Sequence, residues 1–387
     1  MRQSRLAGEL RHARCRVCQG ALSEDILLSY QGMPAAAQAF PDAASLDRDC
    51  GSDLKVCQCS SCGLVQLDAK PVPYYREVIR AAAFSDEMQQ FRRSQLQEWI
   101  AHHGLRGKKI LEVGCGRGEY LALLDECGVE AHGLEYSAAS VSACRAMGLS
   151  AQRGYVDRAA KRIPGAPFDG FMSLNFLEHW PHPRTSLKGI ANNLAAGATG
   201  LVEVPNFDMI LQKRLFSEFI SDHLSYFTRN TFVFTLQSSG FDVIECKSVW
   251  HDYILSAAVR KRPIADLSAL EVRRSELTAT LREFIRGYPP GRVAIWGAGH
   301  QALAVIALSG IGRDIRYVVD SAPFKQGKFT PATHLPIVPP SALASDPVDA
   351  VLVMAASYSN EVAALVRAQC GPGMAVAVLR DYGLEAI

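Results

Sequence analysis

Two cysteine pairs, Cys15-x2-Cys18 and Cys59-x2-Cys62, have the spacing at which one tight turn aims two thiolates at a single ion. Two such turns complete a tetrahedral sulfur site for zinc. Four thiolates leave no open position, which describes a structural ion rather than a catalytic one. The stretch between the pairs exceeds that of an ordinary zinc finger, so the spacing argues for metal and not for a nucleic-acid reader. Cys57 shares a strand face with Cys59 but lacks the x2 spacing, and Cys50 has no pairing; neither enters the ligand set.

The second constellation is Glu112-Val113-Gly114-Cys115-Gly116-Arg117-Gly118, which follows an apolar strand and opens a helix. Its glycines let the backbone turn sharply and approach a ligand closely. Glu135, about 20 positions on at the end of the next strand, can accept from both hydroxyls of a ribose. Those two features also fit a dinucleotide. The acid Glu112 within the strand, and the E-x-G-x-G-x-G spacing in place of G-x-G-x-x-G, favour S-adenosylmethionine. Asp157, after the third strand, is a further candidate contact, and Cys115 reads as a small filler of the loop.

These groups need a scaffold. A chain of 387 residues, 48% of them apolar, is long enough for two or three cores. The first stretch holds six of the eleven cysteines, with Gly32, Pro34 and Pro41 interrupting any period, and reads as a small loop-rich module. From Asp86 to His103, Met88, Phe91, Leu96, Trp99 and Ile100 recur at helical spacing before the strand Ile110 to Val113. Strand-like runs at Ala131 to Glu135, Phe168 to Leu174, Thr199 to Val204 and Phe241 to Cys246 alternate with helix-length segments, the pattern of a parallel α/β sheet. A helix carrying Leu267, Leu270, Leu277, Leu281, Phe284 and Ile285 ends at Pro289-Pro290-Gly291. A further βαβ beginning follows: Val293 to Trp296, the turn at Gly297 and Gly299, a helix to about Leu308, and Tyr317 to Val319 ending in Asp320.

The expected fold class is therefore α/β: a class I Rossmann-like methyltransferase core, a small N-terminal zinc module and a second Rossmann-like C-terminal domain. The expected boundaries are 1–73, 74–262 and 263–387. The formal net charge is only +2 without a long basic run, which argues against nucleic acid or anionic membrane as a partner. The charged start from Met1 to His12, and no stretch near the roughly 20 apolar residues that span a bilayer, give a cytoplasmic expectation in which cysteines stay thiols or bind metal.

Several segments carry a family likeness. Cys59-Ser60-Ser61-Cys62-Gly63-Leu64-Val65-Gln66-Leu67, Asn175-Phe176-Leu177-Glu178-His179, Val202-Glu203-Val204-Pro205-Asn206 and Asp222-His223-Leu224-Ser225-Tyr226-Phe227 occur in order, followed by Gly297-Ala298-Gly299, Val319-Asp320 and Lys325-Gln326-Gly327. Over nearly its whole length the chain resembles the three-domain sugar C-methyltransferases that act at C3 of thymidine-diphosphate 4-keto-deoxysugars. The resemblance implies His223 as general base, Asp222 as its acidic partner, and Tyr226 as part of the same acidic-His-x-x-Tyr-Phe segment. It implies His179, with Asn175 one turn before it, as a group that polarises the ketone or holds the substrate. A carbon acid beside a ketone needs a positioned base and a stabilised enolate, and histidine titrates near the working pH. The C-terminal domain is implied to close over the substrate with loops around His300 and Lys325.

Two departures bear on the substrate. Ile220 stands where the sugar enzymes tend to have tyrosine, and the segment after the zinc module reads Tyr74-Tyr75-Arg76-Glu77-Val78-Ile79-Arg80-Ala81-Ala82-Ala83-Phe84-Ser85, a different wall, in which Arg80 is placed to meet an anionic group. Gly297-x-Gly299-x-x-Ala302 with Asp320 fits either nicotinamide-nucleotide binding or close βαβ packing. Three functions follow: methylation of carbon in a nucleotide-linked sugar, methylation of an oxygen or nitrogen of a sugar or natural product, or a non-enzymatic zinc-containing nucleotide-binding module.

Overall fold

Strands Leu28–Met33 (β1) and Ser52–Gln58 (β2), between the two cysteine turns, and Val65–Leu67 (β3), just after the second, form an antiparallel ladder. The computed structural model that shows this describes residues 14–38, 40–77, 85–371 and 373–387. Arg80 and the Ala81 to Ala83 wall lie outside the described residues.

Helix α1 spans Asp86–His103, as its periodicity predicts. The Ser85 side chain caps it by accepting from the Met88 N–H, Asp86 and Glu87 favour its positive end, and left-handed Gly104 (φ 62°) ends it. Its buried face carries Leu96, Trp99 and Ile100. Arg92 on that face is fully buried and pairs with Glu203, to which Gln95 also donates at 2.6 Å.

The elements that follow are β4 (Lys109–Val113), α2 (Glu119–Glu126), β5 (Glu130–Glu135), α3 (Ala138–Ala146), β6 (Ala151–Arg153) and β7 (Phe168–Leu174). Then come α4 (Pro183–Ala191), β8 (Leu194–Pro205), α5 (Phe207–Lys213), β9 (Ser225–Tyr226), α6 (Arg229–Gln237), β10 (Phe241–Val249) and β11 (Ile254–Lys261). Seven of these strands form one sheet in the order β10-β11-β8-β7-β4-β5-β6. Neighbours from β8 to β6 run parallel, and their apolar runs are buried on both faces. At its other edge the sheet gains a strand of opposite direction. Trp250, His251 and Asp252 adopt φ values of 49°, 55° and 64°, a turn too short for a crossover, so β11 lies antiparallel to both β10 and β8.

The small sheet is not closed on itself. Its order is β1-β2-β3-β9, so the last strand comes from far along the chain: Val65 pairs with Tyr226 and Gln66 with Ser225. Leu54, Val56, Val65 and Leu67 share a core with Phe207, Ile210, Phe219 and Tyr226. The cysteine module and the seven-stranded sheet thus form one compact unit, 1–263.

The second unit, 264–387, has its own core. It contains α7 (Ser268–Arg286), β12 (Val293–Trp296), α8 (His300–Ser309), β13 (Ile315–Val319), β14 (Ile337–Val338), α9 (Ala342–Ser345), β15 (Ala350–Val353), α10 (Ser359–Cys370), β16 (Ala375–Leu379) and β17 (Leu384–Ala386). The sheet order β14-β13-β12-β15-β16-β17 is parallel except for β17, a second Rossmann-like arrangement. Among the described residues no helix is long and apolar enough to cross a membrane.

Candidate active site

The four cysteines of the two x2 turns converge, with all four sulfurs within 4.8 Å of one another. Cys15 Sγ lies 3.6 Å from Cys62 Sγ, and Cys18 Sγ 3.4 Å from Cys59 Sγ. Sulfurs on one tetrahedral zinc stand about 3.8 Å apart, given Zn–S near 2.3 Å, so the cluster fits such an ion. Backbone N–H groups of Gly20, Ser61 and Cys62 donate to Cys18 and Cys59, as ligand thiolates require. Cys57 stands apart from the cluster in β2, its thiol pushed up to about 11 by burial.

Beyond β4 the chain turns through Gly114, Gly116 and Gly118 at φ values of 77°, 55° and 98°, the left-handed region that favours glycine. Gly118 starts α2, and a Cβ there would meet Leu149 Cδ1 at 2.9 Å and Cys144 Sγ at 3.0 Å. Glu135, at the end of β5, is buried; its oxygens accept from the N–H groups of Gly116 at 3.1 Å and Ser137 at 2.8 Å. Burial raises its carboxyl above the ordinary range even against these N–H donors. Glu112 is buried one strand over. Next to Glu135, a cavity of about 310 Å³ is lined by Tyr136, Tyr155, Asp157 and Arg76 among others, which places Asp157 beside the candidate nucleoside position. Arg76 lies over Tyr136 and Tyr155, 5.4 and 5.6 Å from their ring centres. The glycine turn and the strand-end acid, beside a cavity whose lining joins two tyrosines to Arg76, Arg153, Arg158 and Lys161, suit an adenosyl group.

The two histidines come from different elements. Asn175, just after β7, has a φ of 50°, uncommon outside glycine, and a 3-10 turn over Leu177–His179 follows. The second histidine lies just before β9, and the rings of His179 and His223 stand 4.8 Å apart, nearly edge to face. His179 Nδ1 is 2.8 Å from the Asp222 carbonyl. A carbonyl only accepts, so Nδ1 carries the hydrogen and Nε2 presents its lone pair. Burial, and then the neighbouring His179, hold His223 well below the ordinary histidine range, leaving it neutral near pH 7. Among the described residues the His223 ring has no hydrogen-bond partner, as a base awaiting a proton would require.

Asp222 does not touch His223 through its carboxylate. Its Oδ1 accepts from the Tyr74 hydroxyl and its Oδ2 from the Ala37 N–H, both at 2.8 Å. Ser221 Oγ donates to the Pro34 carbonyl at 2.7 Å. The Leu224 N–H donates to the Glu178 carbonyl, and the Leu224 carbonyl accepts from Leu67. Tyr226 turns its hydroxyl to the backbone of Ile220, accepting from its N–H at 3.0 Å, which closes the loop that presents His223. The position filled by Ile220 thus anchors this loop through its backbone.

Two residues with no role read from the sequence stand in this site. Tyr74 was read only as part of a wall, yet it holds Asp222. Glu178 is buried beside His179, its Oε1 3.9 Å from Nε2 and its Oε2 without a hydrogen-bond partner; burial pushes its carboxyl up to about 8. Their sequence signal was only proximity to quoted motifs.

In the second unit, Gly297 has φ 121°, and a Cβ there would lie 2.5 Å from the Met354 carbonyl oxygen, so close packing requires glycine. Asp320 accepts from the N–H groups of Ala298 and Ala322 and from Lys325 Nζ, which neutralises it. That arrangement favours the packing explanation of this turn over dinucleotide binding.

Residues 88–246 match a family model described as methyltransferase domain, and residues 268–376 one described as C-methyltransferase C-terminal domain. The C-methyltransferase NovU of Streptomyces niveus is 25% identical over 386 residues, covering 90% of each chain. The ubiquinone biosynthesis O-methyltransferase of Idiomarina loihiensis is 33% identical over 107 residues, 26% of this chain and 44% of that one. A solved S-adenosylmethionine-dependent methyltransferase from Clostridium acetobutylicum is 11% identical, with TM-score 0.37, over 45% of this chain and 92% of that chain.

Proposed function

We propose that this S-adenosylmethionine-dependent methyltransferase, whose second unit matches the C-methyltransferase C-terminal domain, methylates carbon beside a ketone of a nucleotide-linked deoxysugar. The observation that carries the carbon assignment is His223: a neutral imidazole, without a protein partner among the described residues, presented on a loop anchored at both Asp222 and Tyr226. The similarity to NovU along nearly the whole chain supports it.

When bound, S-adenosylmethionine supplies an electrophilic methyl group on a sulfonium. His223 takes the proton from the carbon next to the ketone, and the C–H electron pair moves into an enolate. That carbon would be the nucleophile for the methyl group that the bound donor would supply, with its sulfur leaving as a thioether. His179, with Nδ1–H committed to Asp222, accepts at Nε2 from a substrate hydroxyl and so holds the acceptor rather than polarising its ketone. Asn175 faces the same end of the sheet from its left-handed position after β7, with its Oδ1 unpartnered. Asp222 acts through position: its carboxylate is fixed by Tyr74 and Ala37 while its carbonyl orients His179. Glu112, Gly114, Gly116, Gly118, Glu135 and Asp157 would hold the methyl donor, and Cys15, Cys18, Cys59 and Cys62 a structural zinc.

The test is incubation with methyl-labelled donor and a panel of nucleotide-linked 4-keto-deoxysugars, with the label located by NMR. Label on carbon next to the ketone supports the assignment. Label on oxygen or nitrogen would transfer the reading to the second class of acceptor.

A further inference from the structure

Three side chains able to ligate a metal converge at the histidine pair. Ligand-capable atoms of Glu178, His179 and His223 lie within 4.8 Å of one another. His179 Nε2 is a lone pair, because Nδ1 carries the hydrogen given to Asp222. It stands 3.9 Å from Glu178 Oε1, too far for a hydrogen bond and close for two electron-rich atoms. Glu178 is 2% exposed and its Oε2 has no hydrogen-bond partner. A buried carboxyl oxygen without a partner is a position that a cation or a donor would satisfy.

We propose that Glu178, His179 and His223 form a site for a divalent transition-metal cation of zinc-like preference, whose binding occupies the His223 lone pair and halts methyl transfer. Two imidazole nitrogens and one carboxylate oxygen are the donor set of such ions. Ligands about 2.1 Å from one tetrahedral ion stand about 3.4 Å apart, so pairs now up to 4.8 Å apart close onto an ion by roughly 1–1.5 Å. The Asp222 carbonyl fixes the tautomer and direction of His179, as outer-shell partners of metal-binding histidines do. Both histidines are partly exposed and Glu178 is buried, and three protein ligands leave the fourth tetrahedral position to water. Three ligands with an open position bind reversibly, in contrast to the closed set of four cysteines. The inhibitory consequence rests on His223 being the base; the site itself does not.

The test titrates EDTA-dialysed protein, its cysteine-bound zinc checked by elemental analysis, with Zn2+ by calorimetry and with Co2+ by visible absorption, without acceptor. The expected result is one saturable equivalent beyond the cysteine site, weakened at least tenfold by Glu178→Gln and by His223→Asn, with methyl transfer falling as the site fills and restored by EDTA. No second equivalent, or one unaffected by both variants, overturns the proposal. A transfer rate that rises with occupancy overturns it too, and removes His223 from the role of base. Because the titration needs no acceptor, a failure of carbon methylation leaves its reading intact.

Discussion

The hydroxyl of Tyr74 donates to Oδ1 of Asp222 at 2.8 Å across 148 positions of the chain, so the residue beside the candidate base is held by the segment that follows the cysteine module. Removing the hydroxyl in Tyr74→Phe leaves Asp222 with only the Ala37 N–H and loosens the loop carrying His223. Methyl transfer should fall about tenfold in kcat/KM, a loss within the range for one hydrogen bond to a charged group. Donor affinity, read by calorimetry, should stay within a few-fold. Loss of donor binding would show that Tyr74 serves the cofactor instead.

The pairing of β3 with β9 makes the cysteine site more than a local staple. Val65 and Gln66 follow Cys62 almost directly and pair with Tyr226 and Ser225, the strand just after His223. Cys59→Ser should therefore lower the melting temperature and reduce methyl transfer at least tenfold, though no cysteine sits beside the histidine pair. Fresh wild-type protein should contain zinc that survives dialysis against EDTA. Its absence by elemental analysis would reject the structural-zinc assignment.

Gly118 carries two constraints at once, a φ of 98° and contacts of 2.9 and 3.0 Å waiting for any Cβ. The left-handed backbone alone costs a non-glycine residue about 1–2 kcal/mol. Gly118→Ala should lower thermal stability and weaken methyl-donor binding more than tenfold, both measured on the purified variant. Unchanged donor affinity would place the cofactor away from this turn.

Asp320 gives a prediction with a defined pH sign. Burial opposes its ionisation, but Lys325 and the N–H groups of Ala322 and Ala298 outweigh burial and hold the carboxyl below its ordinary value. A depressed folded-state pKa adds stability above the unfolded value, about 3.9, and loses it as pH falls through the folded value. Melting of the second unit should weaken on acidification below about pH 4 in the wild type. In Asp320→Asn the melt should be lower at neutral pH and show a shallower fall over that window. Parallel acid limbs would contradict the assignment.

Much of the scaffold was legible because it follows short-range rules. Asp86–His103 carries a capping serine, helical spacing and a closing glycine, and the buried strands are unbroken apolar runs. The cysteine cluster was legible from its x2 turns, and the left-handed turn after β4 from glycines bracketed by a strand and a helix. What escaped notice depends on tertiary meeting. β9 is two residues long, too short for any period, and Ile254–Lys261 reverses direction because of a four-residue turn, Trp250 to Tyr253, with no glycine in it. Tyr74 and Glu178 gain significance only when the fold brings them to Asp222 and His179.

The central claim is that His223 removes a proton from carbon, and hydrogen exchange reads that step without methylation. With S-adenosylhomocysteine in place of the donor, enzyme and a nucleotide-linked 4-keto-deoxysugar are incubated in deuterated buffer, and the proton next to the ketone is followed by NMR. Wild-type protein should accelerate its exchange, and His223→Ala should lose the acceleration by roughly 10²–10⁴-fold while still binding the donor within a few-fold. Exchange as fast in His223→Ala as in the wild type would contradict the account.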